Sequence, residues 1–180
     1  MRVLPALLIA AALPAYAATR PKHPAHPAHA HPAKAAHAAP ASSAPTSIGT
    51  WDQWSAATHA ESGQLVCYAF TRATAPAAPG GGDVLTVTER RGGRDAVAIT
   101  AGYTYPKDAA VDVQVAGMKL PFYASGSSAF ARDGKAAVAA FHRGRDVTVH
   151  APAAKGEAAD TFSLAGFPAA YAAVSKRCPR

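Results

Sequence analysis

DVLTVTERRGGRDAVAITAGYTY, Asp83–Tyr105, decides the fold, because two β-rich runs flank a Gly-Gly pair. In DVLTVTE, Asp83–Glu89, apolar residues alternate with threonine, the period of a half-buried strand. Gly92-Gly93 takes positive φ at low cost, so Arg90-Arg91-Gly92-Gly93-Arg94 reads as a turn into a second strand over Ala96–Tyr105. Upstream, Thr50–Trp54 and Leu65–Thr71 are expected strands. Downstream, Val111–Val115, Ala116-Gly117 and Met118–Tyr123 form a hairpin with Val111, Val113 and Val115 on one face and Asp112 and Gln114 on the other. Pro121 lacks a backbone donor, so its strand is expected to be an edge or to end early. Asp146–His150 and Asp160–Leu164 bring the expected total to about eight short strands.

Two stretches depart from this pattern. DGKAAVAAFHR, Asp133–Arg143, has a capping aspartate, an alanine-rich interior and Gly144 as a stop. PAAYAAVSKR, Pro168–Arg177, starts on proline, ends on two cations, and places Tyr171, Val174 and Cys178 along one stripe. No βαβ alternation appears. The fold class expected is mainly β, a small β-sandwich or barrel with two short helices, one of them C-terminal.

The 180 residues leave room for about one domain once the N-terminal segments are set aside. Arg2, the apolar run Val3–Leu13 and Ala15-Tyr16-Ala17 have the layout of a secretory signal, predicting cleavage near Ala17 and a periplasmic or secreted protein. The run is far shorter than the ~20 residues of a membrane-spanning helix, and no later one is longer, so no transmembrane segment is expected. The organisation predicted is a signal peptide over 1–17, a disordered His/Pro/Ala-rich arm over 18–47 and a β-rich domain over 48–180. The net charge of +7 divides along the chain: Arg2 sits in the signal, Arg20, Lys22 and Lys34 give the arm +3, and 48–180 carries 14 basic against 11 acidic residues. A mixed +3 domain without a basic stripe excludes nucleic acid as an expected partner.

RPKHPAHPAHAHPAKAAHAAP, Arg20–Pro40, is dominated by alanine, proline and histidine. Its prolines bias the chain to polyproline II. His23, His26 and His29 then share a face but stand ~9 Å apart, so His23, His26, His29, His31 and His37 are only weak metal candidates. A solvated spacer is the main reading. The same imidazoles titrate near neutrality, so the arm gains up to five charges on acidification and would hold anionic envelope material more tightly.

Cys67 and Cys178 are the only cysteines, and in an exported chain they most simply form a structural disulfide. Neither Gly-x-Ser-x-Gly, His-Glu-x-x-His nor a phosphate loop is present, and Pro79–Asp83 reads as a flexible loop. His59, His142 and His150 with Ser127, Ser128, Asp133 and Asp160 offer only scattered triad chemistry. Asp108 and Asp112, the nearest thing to paired carboxylates, are expected to face solvent. No catalytic residue and no cofactor is expected, and an uncharacterised hydrolase is the least favoured reading.

TWDQWSA, CYAF, AVAITAGYTYP, AFARDGKAAVAAFHRGRDVTVHA and DTFSLAGFPAAYAAVSKRC together resemble the invasion-associated locus B family of bacterial envelope proteins, over about Thr50–Cys178. The resemblance implies a small exported β-rich protein, linked in pathogenic members to entry into host cells, with no assigned catalytic residues. Many members carry a further cysteine near the first strand; Trp54–Thr58 has none. The function expected is non-enzymatic binding of a protein or glycan partner at the cell envelope or host surface. The alternative is a structural or stress-related periplasmic protein with a metal-buffering arm.

Overall fold

The computed structural model describes residues 44–74, 82–153 and 156–178. The expected signal and the five arm histidines lie outside the described residues, as does most of Pro79–Asp83. The strands are β1 Thr46–Trp51, β2 Trp54–Glu61, β3 Gln64–Arg72, β4 Val84–Arg90, β5 Gly93–Thr100, β6 Asp112–Val115, β7 Met118–Ser125, β8 Ser128–Ala131, β9 Asp146–Ala153 and β10 Gly156–Ser163. The helices are α1 Gly134–Phe141, between β8 and β9, and α2 Phe167–Arg177 after β10.

The expected sandwich or barrel of about eight strands is corrected to one open antiparallel sheet of ten, in the order β1-β2-β3-β4-β5-β8-β7-β6-β9-β10. Two differences account for the count. Thr50–Trp54 is not one strand: Trp51 pairs with Trp54 across a two-residue turn, with Asp52 at φ 48°. Aspartate tolerates that conformation through its short polar side chain, which hid a hairpin inside an aromatic run. The other addition is β8, too short and too rich in serine and alanine to show a period.

The central turn forms as expected, with Gly92 at φ 83° between β4 and β5. The strand expected over Ala96–Tyr105 ends at Thr100. Beyond it Ala101 and Tyr105 donate backbone hydrogen bonds to Ser127 and Gly126, which fixes the chain across the β7–β8 turn. The hairpin of β6 and β7 turns on Ala116 and Gly117, both at positive φ. Pro121 does not sit on an edge; β7 lies between β6 and β8 and runs to Ser125. Pairing with β8 starts only at Phe122 and Ala131, and the Pro121 carbonyl accepts from Arg132 N, so its missing donor falls where the β8 ladder has stopped.

One face of the sheet carries the core. Trp54, Cys67, Leu85, Val87, Ile99, Val113, Val147 and Phe162 are buried there, and both helices pack over them. The rings of Trp54 and Phe141 meet Phe167 at 4.8 and 5.5 Å, joining β2, α1 and α2. Asp133 Oδ1 accepts from Ala136 N and starts α1, as its sequence predicts. The sheet bends round this face: Thr74 N donates to Thr161 O at 2.8 Å and Trp54 Nε1 to Ser163 O at 2.9 Å, bringing β10 back to β2 and the end of β3. Among the described residues no helix is long and apolar enough to cross a membrane.

Candidate functional site

The residues singled out in the sequence separate in the fold. Cys67 on β3 and Cys178 at the end of α2 form the disulfide, with Cα atoms 6.0 Å apart. His59 packs edge-on to Tyr68, His142 to Phe167 and Tyr171, and His150 Nδ1 lies 3.0 Å from Glu157 Oε1. Ser128 exchanges a hydroxyl bond with Thr100, while Asp133 is occupied as a helix cap. Asp160 is buried on β10, within electrostatic reach of Tyr103 and Tyr105. No triad is assembled from them. Among the described residues no group of three or more His, Cys, Asp or Glu is arranged to hold a metal ion.

What the fold does assemble lies on the outward face. Register places Phe70, Thr86, Ala98, Phe130 and Tyr123 in one row across β3, β4, β5, β8 and β7. Alternation puts Tyr68, Val84, Thr88, Ala96, Thr100 and Ser128 on the same side. No charged side chain interrupts this area; Arg72, Arg90, Lys119 and Arg132 stand at its ends. Tyr68 and Phe70 pack at 5.8 Å at one end of the row, Tyr123 and Phe130 at 5.6 Å at the other. Tyr123 is 43% exposed, and the Arg132 guanidinium lies 5.2 Å from its ring centroid. Five strands ~4.8 Å apart make the row ~20 Å wide. The sequence signal was present in β3, where both parities are apolar: Cys67 and Ala69 face the core, Tyr68 and Phe70 face out.

The other half of the outward face is polar. Asp112 on β6 stands opposite His150 on β9, and Gln114 opposite Thr148. Lys119 Nζ lies 2.7 Å from Asp112 Oδ2, and this hydrogen bond holds the Asp112 carboxyl below its ordinary range against the opposing effect of burial. A groove of about 480 Å3 runs between Asp112, His150 and Glu157, and a second of about 400 Å3 lies beside Gln114, Thr148 and Arg143–Asp146. Asp108, at φ 58° in an exposed turn, is not brought to Asp112 by any contact among the described residues.

The profile of the Invasion associated locus B (IalB) protein family matches residues 54–175, from the first residue of β2 nearly to the end of α2. No curated protein and no solved structure matches the chain significantly. The match spans both faces of the sheet, both helices and most of the chain, and the protein belongs to the Invasion associated locus B family.

Proposed function

We propose that the protein is a non-enzymatic exported component of the bacterial envelope that binds a protein partner, at the envelope or on a host surface, through the uncharged outward face of β3, β4, β5, β8 and β7. Family membership supports the envelope association. The observation that carries the binding role is the row Phe70, Thr86, Ala98, Phe130 and Tyr123. An antiparallel sheet with one solvated face ordinarily alternates apolar-in with polar-out, and charge is the common outward choice. Here aromatic rings, alanine and threonine take those positions. A contiguous uncharged patch rimmed by arginine suits apposition of another protein surface, with aromatic anchors at its core and a polar rim. These positions carry no amide or carboxylate side chain to bind sugar hydroxyls, which favours a protein over a saccharide.

The test is binding of the mature protein to purified envelopes or host-cell surfaces, compared with Ala98→Glu. Ala98 points outward at the middle of the row, so a charge there leaves the core untouched. Binding should fall at least tenfold with an unchanged melting curve. Equal binding by the variant would overturn the assignment of this face, and loss of binding after glycosidase treatment of the surface would make the partner a glycan.

A further inference from the structure

The second groove on the polar half of the outward face is built differently from the first. Arg143 and Arg145 flank Gly144 in the connection from α1 to β9, and both side chains are exposed. A Cβ on Gly144 would come within 2.3 Å of Val115 Cγ1 and 3.1 Å of Leu164 Cδ1, so this connection is pressed against the end of β6 and the residue that follows β10. Gly144 N donates to Ala140 O at 2.9 Å and Arg145 O accepts from Leu164 N at 2.8 Å. The backbone of both arginines is thereby fixed on either side. Among the described residues neither guanidinium has a carboxylate partner, whereas at the neighbouring groove Asp112 is paired with Lys119 and Glu157 with His150. Gln114 and Thr148 line the same groove; Gln114 Nε2 donates to Asp112 Oδ1 at 3.2 Å, which leaves its carbonyl oxygen and second N–H for a ligand beside the Thr148 hydroxyl, and Asp146 is the groove's one carboxylate.

Two unpaired guanidinium groups favour an oxyanion, which they meet in forked, charge-assisted hydrogen bonds. One carboxylate in the lining penalises a ligand dense in negative charge. Gln114 and Thr148 are direct cross-strand partners on β6 and β9, so their Cβ atoms stand ~5 Å apart, about the width of a single sugar ring. We infer that this groove binds a sugar bearing a single oxyanion, a phosphate or a uronate, with the anion between Arg143 and Arg145 and the ring hydroxyls on Gln114 and Thr148. The site lies on strands other than those of the proposed protein-binding face and goes beyond that role.

The experiment titrates the isotope-labelled mature protein with glucose 6-phosphate, glucuronate, inorganic phosphate and glucose, following amide shifts. Saturable shifts at Gln114, Gly117 and Thr148 are expected with one or both charged sugars, and whichever is tighter identifies a phosphate or a uronate source. Arg143→Gln with Arg145→Gln should weaken that sugar at least tenfold, and Asp146→Asn should tighten it several-fold. Ala98→Glu should leave the titration unchanged, so the two sites fail independently. Glucose binding as tightly as the charged sugars, inorganic phosphate binding as tightly as the sugar phosphate, or no weakening in the double arginine variant would each overturn the inference. Should the double variant fail to fold, the Asp146→Asn result decides.

Discussion

Glu89 is fully buried on the core face of β4, where its carboxylate has left water for two partners: Oε1 accepts from Asp95 N at 3.1 Å and Oε2 lies 2.8 Å from Arg94 Nε. Burial raises its pKa more than the Asp95 amide and Arg94 lower it. The same turn reaches α2. Arg94 Nη1 donates to Cys178 O at 2.6 Å, and Tyr171 Oη donates to Asp95 Oδ1. Burial and that bond push the Tyr171 pKa up to about 12 from the ordinary 10.0. The folded state therefore holds this proton more tightly than the unfolded chain does, so its contribution to stability is complete below pH ~10 and lost as pH rises through ~12. Tyr103 and Tyr105 are raised in the same direction, first by burial and next by neighbouring groups. Tyr171→Phe should accordingly flatten, without abolishing, the fall in urea midpoint between pH 9.5 and 12. Equal slopes for the two proteins would mean that the Tyr171 proton is not coupled to folding.

The C-terminal helix is held at both ends. Gly166, at φ 88°, precedes it, and a Cβ there would approach the Trp51 carbonyl oxygen to 2.0 Å, so glycine serves both the left-handed turn and the close approach to β1. Phe167, Ala170 and Val174 bury one stripe against the sheet, and the Cys67–Cys178 bridge closes the far end across 111 positions. Chain entropy values such a loop at roughly 4 to 5 kcal/mol, an upper figure. Cys67→Ser with Cys178→Ser should lose most of that in urea unfolding at pH 7. It should retain its helical circular dichroism, because the ring contacts of Phe167 remain. A loss below about 1 kcal/mol would show that an oxidised and a reduced chain are equally constrained when unfolded. This element was legible beforehand because its proline, its cations and the pairing of the only two cysteines are all local or countable; of the stripe expected at Tyr171, Val174 and Cys178, the last two are buried and Tyr171 is half-buried, while Phe167 and Ala170 complete the buried side. The helix capped by Asp133 and the hairpin at Ala116-Gly117 were legible for the same reason. The Trp51–Trp54 hairpin and β8 were not, since a positive-φ aspartate and a four-residue SAFA strand leave no period. The outward row was illegible as a surface, because it exists only once five strands fall into register.

At the scale of the whole chain, charge is distributed unevenly for a protein of net +7: residues 48–180 carry 14 basic and 11 acidic side chains, while 18–47 carries three cations, no acid and five histidines. Among the described residues most partnered charges are internally matched, Arg90 with Glu61, Arg94 with Glu89 and Lys119 with Asp112. Each part carries net +3, but the N-terminal segment concentrates it in 30 residues without an acid, so it is the segment expected to be drawn to an anionic surface. Free imidazoles titrate near pH 6.5, so His23, His26, His29, His31 and His37 add up to five charges beside Arg20, Lys22 and Lys34 as pH falls. Co-sedimentation of the mature protein with purified envelopes should be stronger at pH 5.5 than at pH 7.5. It should weaken steeply with salt, since exposed charges are screened over ~8 Å at physiological ionic strength. Replacing the five histidines with glutamine keeps every proline and removes the titration. That variant should bind alike at the two pH values, at the level the native protein shows at pH 7.5. A glutamine variant that still gains affinity at pH 5.5 would show that the pH response does not come from these five histidines.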